Sequence, residues 1–366
     1  MNRIKPAEIT LGQPLAFDIV AEDGRLLLSK GQIVNLENHR LHFIETAFKI
    51  GDKARQSAAY LPVFVRMERL AFRLATIEED IVNGAHLDGW AARVRAITAD
   101  LIEANDDDPD AAFAAMHLEA RYKYDVVHHL MAAILCARLG HAAGLTKDER
   151  FSLVAAAMTH DLAVLAMRRE IESPEILTPD QHQRIKEHPA LGVKMLQELG
   201  ISDELWLKSV LEHHEFLDGS GYAGLSAEHL QMPSRVICLA DAMSAMLRPR
   251  PYRERKLAKA ALADLYDDPQ CKYDKALIAT LVRELGLFPP GSVLRLANRE
   301  TAIAIRTKPE NPAVPDVVAV TDYAGHPLEK PSQRDITRPE TTIADLLDTD
   351  KIAKVRRLLP ACWKKP

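Results

Sequence analysis

The sequence predicts a mainly α-helical protein with a small β-containing module at its N-terminus and a β-rich extension at its C-terminus. Apolar residues recur at helical spacing from about residue 65, and runs typical of short strands occur only near the two ends. We expect an N-terminal module at 1–50, a helical linker or dimerisation region at 51–108, a main helical domain at 109–288 and the extension at 289–366.

The composition narrows the class of protein. The 366 residues include 47% hydrophobic and 27% charged residues, and a net charge of -5 does not indicate general nucleic-acid binding. The four cysteines form no CxxC pair, so we expect reduced, mostly buried thiols. No signal peptide and no apolar run near the roughly 20 residues of a membrane span are evident. A cytoplasmic location without a membrane span is therefore predicted.

The N-terminal part carries structural signals but no chemical cluster. Residues 17–20 and 25–28 flank Asp23-Gly24, a pattern that predicts a β-hairpin. A short helix is expected from Leu36 to Phe48, followed by helical spacing that breaks at Asn83-Gly84. We predict a sensory, docking or dimerising role for this part of the chain.

The main helical domain has clear ends. Asp108 and Pro109 form a helix start, with a capping carboxylate before a proline in the first turn. The run from Phe288 to Gly291 contains two prolines and stops the helical block. Beyond it, strands are predicted at 293–296, 302–305 and 317–320, and a last amphipathic helix at 343–359.

Two adjacent histidines, His213 and His214, stand before a loop with three glycines. Neighbouring helical residues point about 100° apart, so both can serve one centre only where the helix ends. The glycine-rich loop supplies such an ending, and neutral imidazole is a common nitrogen ligand of transition metals. Alone, the pair would more often be a solvated pair at a helix C-terminus.

Further candidate ligands lie in order along the same helical block. His128 shares the apolar face of its helix and is preferred to His129 as a ligand. His160 and Asp161 follow a buried apolar run, where unpaired polar groups would be costly. Each piece alone is typical of a surface pair or a helix cap, but together they predict a two-metal site. The predicted ligands are His128, His160, Asp161, His188, His213, His214 and Asp241.

The motif at 213–225, His-His-Glu-x-x-Asp-Gly-Ser-Gly-Tyr-x-Gly-Leu, resembles the HD-GYP family of metal-dependent phosphohydrolases. Ala240-Asp241 and the run from Arg250 to Arg253 extend the resemblance, which covers about 110–287. It implies an HD-type helical bundle that hydrolyses the bacterial second messenger cyclic di-GMP. The N-terminal hairpin is also similar to a small domain often placed ahead of such domains.

The resemblance also implies roles for single residues. One metal would be held by His128, His160, Asp161 and Asp241, and the second by His188, His213 and His214, with Asp161 bridging both. The metals are expected to be iron or manganese, which would assist in-line attack on phosphorus and neutralise phosphate charge. Arg250 is expected to hold substrate phosphate and to act in catalysis with Asp161. Gly221 and Tyr222 are expected to contact substrate.

Three positions depart from the family pattern. Val164 replaces a lysine that lies near the scissile phosphate in relatives, and Ala223 replaces the proline of Gly-Tyr-Pro. Tyr124 stands where some members place a glutamate that holds a third metal, so two metals are expected.

These observations predict a signalling phosphodiesterase that opens cyclic di-GMP to linear pGpG, with GMP as a further product. One alternative is a catalytically weak cyclic di-GMP receptor that signals through a protein partner, and another is an HD phosphohydrolase of a different nucleotide. The expected docking surfaces are residues 1–108 and the loop at 219–225, and a homodimer is considered.

Overall fold

A computed structural model describes residues 2–3, 14–20, 26–28, 30–31, 48–50, 62–85, 87–167, 178–248 and 256–363. Within these residues the N-terminal module contributes four short strands in the antiparallel order β1-β4-β2-β3. Their bounds are β1 Asn2–Arg3, β2 Asp18–Val20, β3 Leu26–Leu28 and β4 Phe48–Ile50.

The predicted hairpin is confirmed by the pairing of β2 with β3, in which Ile19 lies opposite Leu28. Its turn at Asp23-Gly24 lies outside the described residues, as does most of the helix expected from Leu36. Phe48, the last residue of that expected helix, belongs to strand β4 instead.

Helices make up most of the described chain, as the sequence predicts. Their bounds are α1 Val63–Asn83, α2 Trp90–Asp107, α3 Pro109–His117, α4 Tyr124–Ala142, α5 Lys147–Ala157, α6 Leu162–Met167, α7 Pro179–Glu198, α8 Glu204–Glu212, α9 Met232–Leu247, α10 Ala258–Tyr266, α11 Lys275–Leu285 and α12 Leu359–Cys362.

Local signals explain where several helices begin and end. Asp108 caps α3 by accepting a hydrogen bond of 3.0 Å from the backbone N–H of Ala111, and Pro109 takes the first helical position. Gly84 ends α1 in the left-handed conformation, with φ of 62°. Both boundaries agree with the sequence prediction.

Helix α4 is the central helix of the bundle and packs against α3, α5 and α9. Every residue from Val126 to Gly140 is buried, so this helix has no solvated face over most of its length. A helix that is apolar on all sides is buried on all sides. This burial places neighbouring side chains of α4 in the interior together.

Helices α1 and α2 pack into the same hydrophobic core as the helices that follow residue 109. Helix α1 contacts α2, α3, α4 and α6. Ion pairs join α1 and α2, including Arg93 with Asp80 at 2.6 Å. The domain boundary predicted at residue 109 remains a prediction. In the structure the hydrophobic core continues across it.

The C-terminal extension forms a five-stranded antiparallel sheet in the order β8-β7-β6-β5-β9. The three predicted strands correspond to β5, β6 and β7, whereas β8 was not predicted. Strand β8 is an edge strand that carries charged residues and two prolines, features that weaken a sequence signal for strand. The bounds are β5 Val293–Leu296, β6 Thr301–Arg306, β7 Asp316–Thr321, β8 Pro327–Arg334 and β9 Ile343–Leu347.

The helix predicted at 343–359 is wrong over its first part. Residues Ile343–Leu347 form β9, which pairs with β5, and a 3-10 helix at Thr349–Leu358 leads into α12. The apolar residues of this stretch fit the spacing of either a helix or a strand. Hydrogen bonding to the free edge of β5 makes it a strand.

Several contacts fix the sheet, and the segment that follows it, to the helical bundle. The guanidinium of Arg306 donates to both carboxylate oxygens of Asp108, at 2.5 and 2.6 Å. The ring of Trp363 stacks on that of Phe64 with centroids 5.3 Å apart. Asp108 therefore caps α3 and anchors the sheet at the same time.

One stretch of the described chain, Lys147–Met167, has the length and composition of a membrane span. In the window that qualifies, 78% of the residues are buried inside the fold, and the core helix of a soluble protein meets the same criteria. The stretch covers α5, the turn that follows it and α6.

Candidate metal centre

The turn between α5 and α6 carries His160 and Asp161 at the middle of the bundle. Thr159 stabilises this turn, because its hydroxyl donates to the carbonyl of Ala155 at 2.9 Å and accepts from the indole N–H of Trp206 at 2.8 Å. His160 is fully buried, and the side chain of Asp161 is 22% exposed. The prediction that this polar pair begins beside the core agrees with the structure.

The structure brings all the predicted histidine and aspartate ligands into one cluster. It forms groups whose ligand atoms lie within 4.8 Å of one another, namely His188 with His213 and His214, and His128 with His160 and Asp241. A third group adds a residue that the sequence reasoning set aside: His129, with His160 and Asp161.

Three of the histidines are oriented by the backbone carbonyl three residues before them. The distances from Nδ1 to the carbonyl oxygen are 2.9 Å for His160, 2.5 Å for His188 and 2.6 Å for His213. A carbonyl can only accept, so Nδ1 carries the proton and Nε2 keeps its lone pair. In each ring that lone pair is the one available to a metal.

The carbonyls are available for local reasons. Those of Ala157 and Val210 lie in the last turns of α5 and α8, where helical acceptors lack partners. The carbonyl of Ile185 is released because the residue four positions later, Pro189, lacks an N–H. The His-Pro dipeptide, a weak signal in sequence, thereby orients His188.

Helix α9 orients His128 through Ser244. The ring Nδ1 donates to the Ser244 hydroxyl at 2.8 Å, and that hydroxyl donates to the carbonyl of Asp241 at 3.0 Å. The Nε2 atom of His128 then faces Asp241 Oδ1 at 3.1 Å. The histidine and the aspartate of this group are thus set by the same turn of α9.

Asp161 lies between the two groups of histidines. Its Oδ1 is 3.2 Å from Nε2 of His188, and its Oδ2 is 3.6 Å from Nε2 of His160 and 3.9 Å from Nε2 of His128. One carboxylate oxygen faces each group, which is the arrangement a bridging carboxylate needs.

The chemistry of these donors fits divalent metals. The Nε2 atoms of His128 and His160 are buried and make no hydrogen bond of good geometry. Nε2 of His188 and Nε2 of His213 face each other at 3.0 Å, although both rings donate through Nδ1. Facing lone pairs repel unless a proton or a metal ion lies between them. Ligand atoms about 2.1 Å from one ion are about 3.0 to 3.4 Å apart, close to the spacings here.

Burial and charge set the protonation states of the cluster. Burial lowers the pKa of His128 to about 4 and that of His213 well below its usual value. Burial would raise the pKa of the Asp161 and Asp241 carboxyls, but the surrounding histidines hold both well below the usual range. At His188, Asp161 outweighs burial and the pKa is raised. Most of the cluster is therefore in the neutral or ionised form that metal binding requires.

Glu215, the third residue of the histidine motif, organises the loop that follows. Its buried carboxylate accepts from the backbone N–H groups of Ala223 at 2.7 Å and Leu225 at 2.9 Å. A proline at position 223 could not donate the first of these bonds. Ala223 thus exchanges the rigidity of the family proline for a hydrogen bond to Glu215, and the sequence reasoning missed this role of the glutamate.

The predicted substrate-contacting residues Gly221 and Tyr222 lie in this loop. Tyr222 is 39% exposed and its ring centroid is 4.7 Å from that of His214, so the ring borders the cluster. Gly221 passes so close to the chain before it that a Cβ would lie 2.6 Å from Glu215 Cα and 2.7 Å from the His214 carbonyl oxygen. The glycine is needed for close approach, and contact with substrate remains a prediction for both residues.

Gly221→Ala is expected to displace the loop without emptying the cluster, since the added Cβ would clash with two backbone atoms and with the Glu215 carboxylate that holds the loop. Metal content should stay near that of the unaltered protein, whereas the KM for substrate should rise by about tenfold or more. Elemental analysis and steady-state kinetics measure the two quantities. Ser220→Ala, which removes one exposed hydroxyl, is the matched control; an unchanged KM in Gly221→Ala would show that loop position is unimportant.

A sequence profile of the HD domain family matches residues 77–277, more than half of the chain. The chain belongs to the HD domain family. The solved structure of Bd1817, described as a HDG"Y"P protein from Bdellovibrio bacteriovorus, matches with a TM-score of 0.50 at 16% identity. The match covers 76% of this chain and 97% of Bd1817 and shows a shared fold. The resemblance to HD-GYP proteins is confirmed.

Curated relatives cover parts of this HD-domain chain. It is 26% identical over 238 residues to the cyclic di-GMP phosphodiesterase PdeB of Borreliella burgdorferi, across 64% of this chain and 62% of PdeB. It is 32% identical over 158 residues to the cyclic di-GMP phosphodiesterase response regulator RpfG of Xanthomonas campestris, across 40% of this chain and 41% of RpfG. The chain thus spans less than two thirds of the length of these relatives.

Of the positions at which this HD domain departs from the HD-GYP pattern, Tyr124 borders the cluster. The Tyr124 ring stacks on His128 with centroids 5.2 Å apart, so it packs against a predicted ligand. Val164 is half-buried, whereas its neighbours Ala163 and Leu165 are buried. Arg250, predicted to hold substrate phosphate, lies outside the described residues.

Metal affinity of the HD domain is expected to rise with pH. The pKa of His188 is raised, and that of His129 is raised to about 10 because Glu78 and Asp161 outweigh burial. Below a raised pKa an ion must displace a proton, so the Mn²⁺ association constant should grow by about tenfold per pH unit for each proton displaced. Titration calorimetry in two buffers of different ionisation enthalpy measures this; equal heats and a flat pH profile would contradict it.

Proposed function

We propose that the chain is a metal-dependent phosphodiesterase that hydrolyses cyclic di-GMP to linear pGpG, with GMP as a further product, in bacterial second-messenger signalling. The observation that carries the proposal is the pair of histidine groups whose Nε2 atoms face the two oxygens of Asp161 from opposite sides. Such an arrangement suits two divalent ions and hydrolysis of a phosphate ester.

Within the proposal, His128, His160 and Asp241 hold one ion, and His188, His213 and His214 hold the other. Asp161 bridges the two. Iron is proposed for both positions and manganese is the alternative, because imidazole-rich sites suit iron. The bound ions would supply positive charge to the phosphate and an acidic water at neutral pH.

The protein groups have separable tasks in this reaction. Asp161 fixes the spacing of the two positions, since each of its oxygens faces a different histidine group. The carbonyls and Ser244 that accept from Nδ1 keep each ring in the tautomer that leaves Nε2 free. Tyr222, whose ring lies against His214, and the neighbouring Gly221 would contact the dinucleotide. Arg250 is proposed to hold its phosphate.

The substrate class is supported by the relatives rather than by a base-recognising pocket. The matched regions of PdeB and RpfG belong to proteins named for cyclic di-GMP hydrolysis. A metal-loaded cluster would recognise phosphate and not the base, so an HD phosphohydrolase of another nucleotide remains the second candidate. Turnover of a panel of cyclic dinucleotides and nucleoside phosphates would separate the two.

Val164 favours a third candidate, a weak enzyme that acts as a cyclic di-GMP receptor. It stands where relatives carry a lysine near the scissile phosphate, so transition-state charge would be less well stabilised. A receptor would signal through a protein partner at residues 1–108 or the loop at 219–225, or through a homodimer. In either role we place the protein in the cytoplasm.

The deciding experiment uses the full chain, purified without oxygen and loaded with Fe²⁺ or Mn²⁺. Cyclic di-GMP is incubated with it, and the products are separated by chromatography beside pGpG and GMP standards. The phosphodiesterase proposal expects catalytic turnover to pGpG. Tight binding without turnover would favour the receptor, and turnover of another nucleotide alone would favour the broader phosphohydrolase.

A further inference from the structure

His129 is a buried histidine that the family resemblance leaves without a role. It follows His128 on α4 and has no exposed surface, although adjacent helical residues ordinarily face different directions. Its Nε2 atom is buried and has no hydrogen-bond partner, as is true of Nε2 in His128 and His160. These are the three histidine nitrogens with that property among the residues the structure describes.

The three nitrogens without a hydrogen-bond partner surround one oxygen of Asp161. Asp161 Oδ2 is 3.9 Å from Nε2 of His128, 3.8 Å from that of His129 and 3.6 Å from that of His160. The three rings are also evenly spaced, with centroids 5.0 to 5.5 Å apart. His129 therefore occupies the same place relative to this oxygen as the two predicted ligands.

The carboxylate of Glu78, which lies outside the predicted helical domain, fixes the orientation of the His129 ring. Glu78 on α1 is buried, and its Oε1 accepts from Nδ1 of His129 at 2.8 Å. The ring is thus held with Nε2 directed at the cluster. A carboxylate behind a histidine is the usual outer partner of a metal-ligating imidazole, where it fixes the ring and raises its basicity.

We propose that His129 is a further ligand of the ion held by His128 and His160, and that Glu78 is the positioning residue that orients it. The inference rests on the proposed two-metal centre. It gives each ion three imidazoles and makes α1 a structural part of the site. Nitrogen-rich coordination favours iron over manganese at the first position, because manganese prefers oxygen ligands.

Two variants separate this role from a purely structural one. His129→Phe keeps an aromatic ring of similar size without a ligand atom, and Glu78→Gln keeps the shape of the outer partner without its charge. His141→Phe, at the exposed end of α4, and Glu79→Gln, on the solvent side of α1, are the matched controls. Circular dichroism of metal-free protein checks that each variant folds.

The readout is metal binding, so it does not depend on turnover. Each protein is loaded anaerobically with ⁵⁷Fe²⁺, dialysed against a weak chelator, and analysed for bound iron and by Mössbauer spectroscopy. His129→Phe should weaken binding of one of the two ions by about 100-fold or more, and Glu78→Gln by about 10- to 100-fold. The spectrum of the remaining ion should be unchanged, and both controls should behave like the unaltered protein.

Three results would overturn the inference. One is unchanged iron retention and spectra in a folded His129→Phe variant, with or without a loss of turnover, which would make His129 a charge or packing group. Another is three bound ions in the unaltered protein with only the third lost in the variant. The last is an unaltered protein that binds no iron, which would remove the two-metal centre itself. The first two results leave the proposed phosphodiesterase intact.

Discussion

Asp161→Ala is expected to lose most of its bound metal and to lower cyclic di-GMP turnover by at least about 10²- to 10³-fold. The carboxylate is the group that faces both histidine clusters, 3.2 Å from His188 and 3.6 Å from His160. Without it the two ion positions share no ligand, and the uncompensated charges of the ions repel each other. Elemental analysis and product chromatography on the same preparation measure both effects.

Two further variants test whether the loss of metal and turnover is specific to the Asp161 carboxylate. Asp88→Ala removes an exposed aspartate from a turn and should match the unaltered protein in metal content and turnover. Asp161→Asn keeps the shape of the side chain with a weaker ligand and should retain more metal than Asp161→Ala. Full metal content in Asp161→Ala would count against a bridging role.

Val164→Lys is expected to raise turnover by about tenfold or more with little change in substrate affinity. A lysine would place positive charge near the phosphate as negative charge builds in the transition state, and the ions would still bind the ground state. Val164 is half-buried beside fully buried neighbours, which leaves a path to solvent for a long side chain. Steady-state kinetics at saturating metal measures kcat and KM.

The control for this variant is Val164→Met, which adds length without charge and should leave turnover unchanged. Thermal melting of both variants checks that helix α6 tolerates the longer side chain. A folded and metal-loaded Val164→Lys variant with no gain in kcat would mean that the missing lysine does not limit the protein.

The helical class and the positions of the clustered histidines and aspartates could be predicted because their signals are local. Asp108 with Pro109 marks the start of α3, and Gly84 marks the end of α1. His160 and Asp161 were recognisable because a polar pair directly after a buried run needs a partner. The prediction of a C-terminal helix failed because the apolar residues of Ile343–Leu347 fit the spacing of a helix and of a strand. Pairing with the free edge of β5 selects the strand.

The proposed roles of His129 and Glu78, and the loop contacts of Glu215, depend on contacts that no local pattern reveals. The choice of His128 over His129 assumed that α4 has one inward face, whereas this helix is buried all round. The continuous apolar run of α4 was the available signal. Glu78 is 51 positions from His129, and no local pattern joins them. Glu215 was read as part of a motif, yet its task depends on backbone N–H groups of the loop it supports.

The most direct test of the account starts from metal-free protein and measures turnover of cyclic di-GMP as a function of the Mn²⁺ or Fe²⁺ that is then bound. Each sample is analysed for bound metal and for pGpG formed. A two-metal centre predicts negligible turnover in chelated protein, a rise as metal is added and a plateau when two ions per chain are bound. Full turnover in chelated protein, or none with two ions bound, would contradict it.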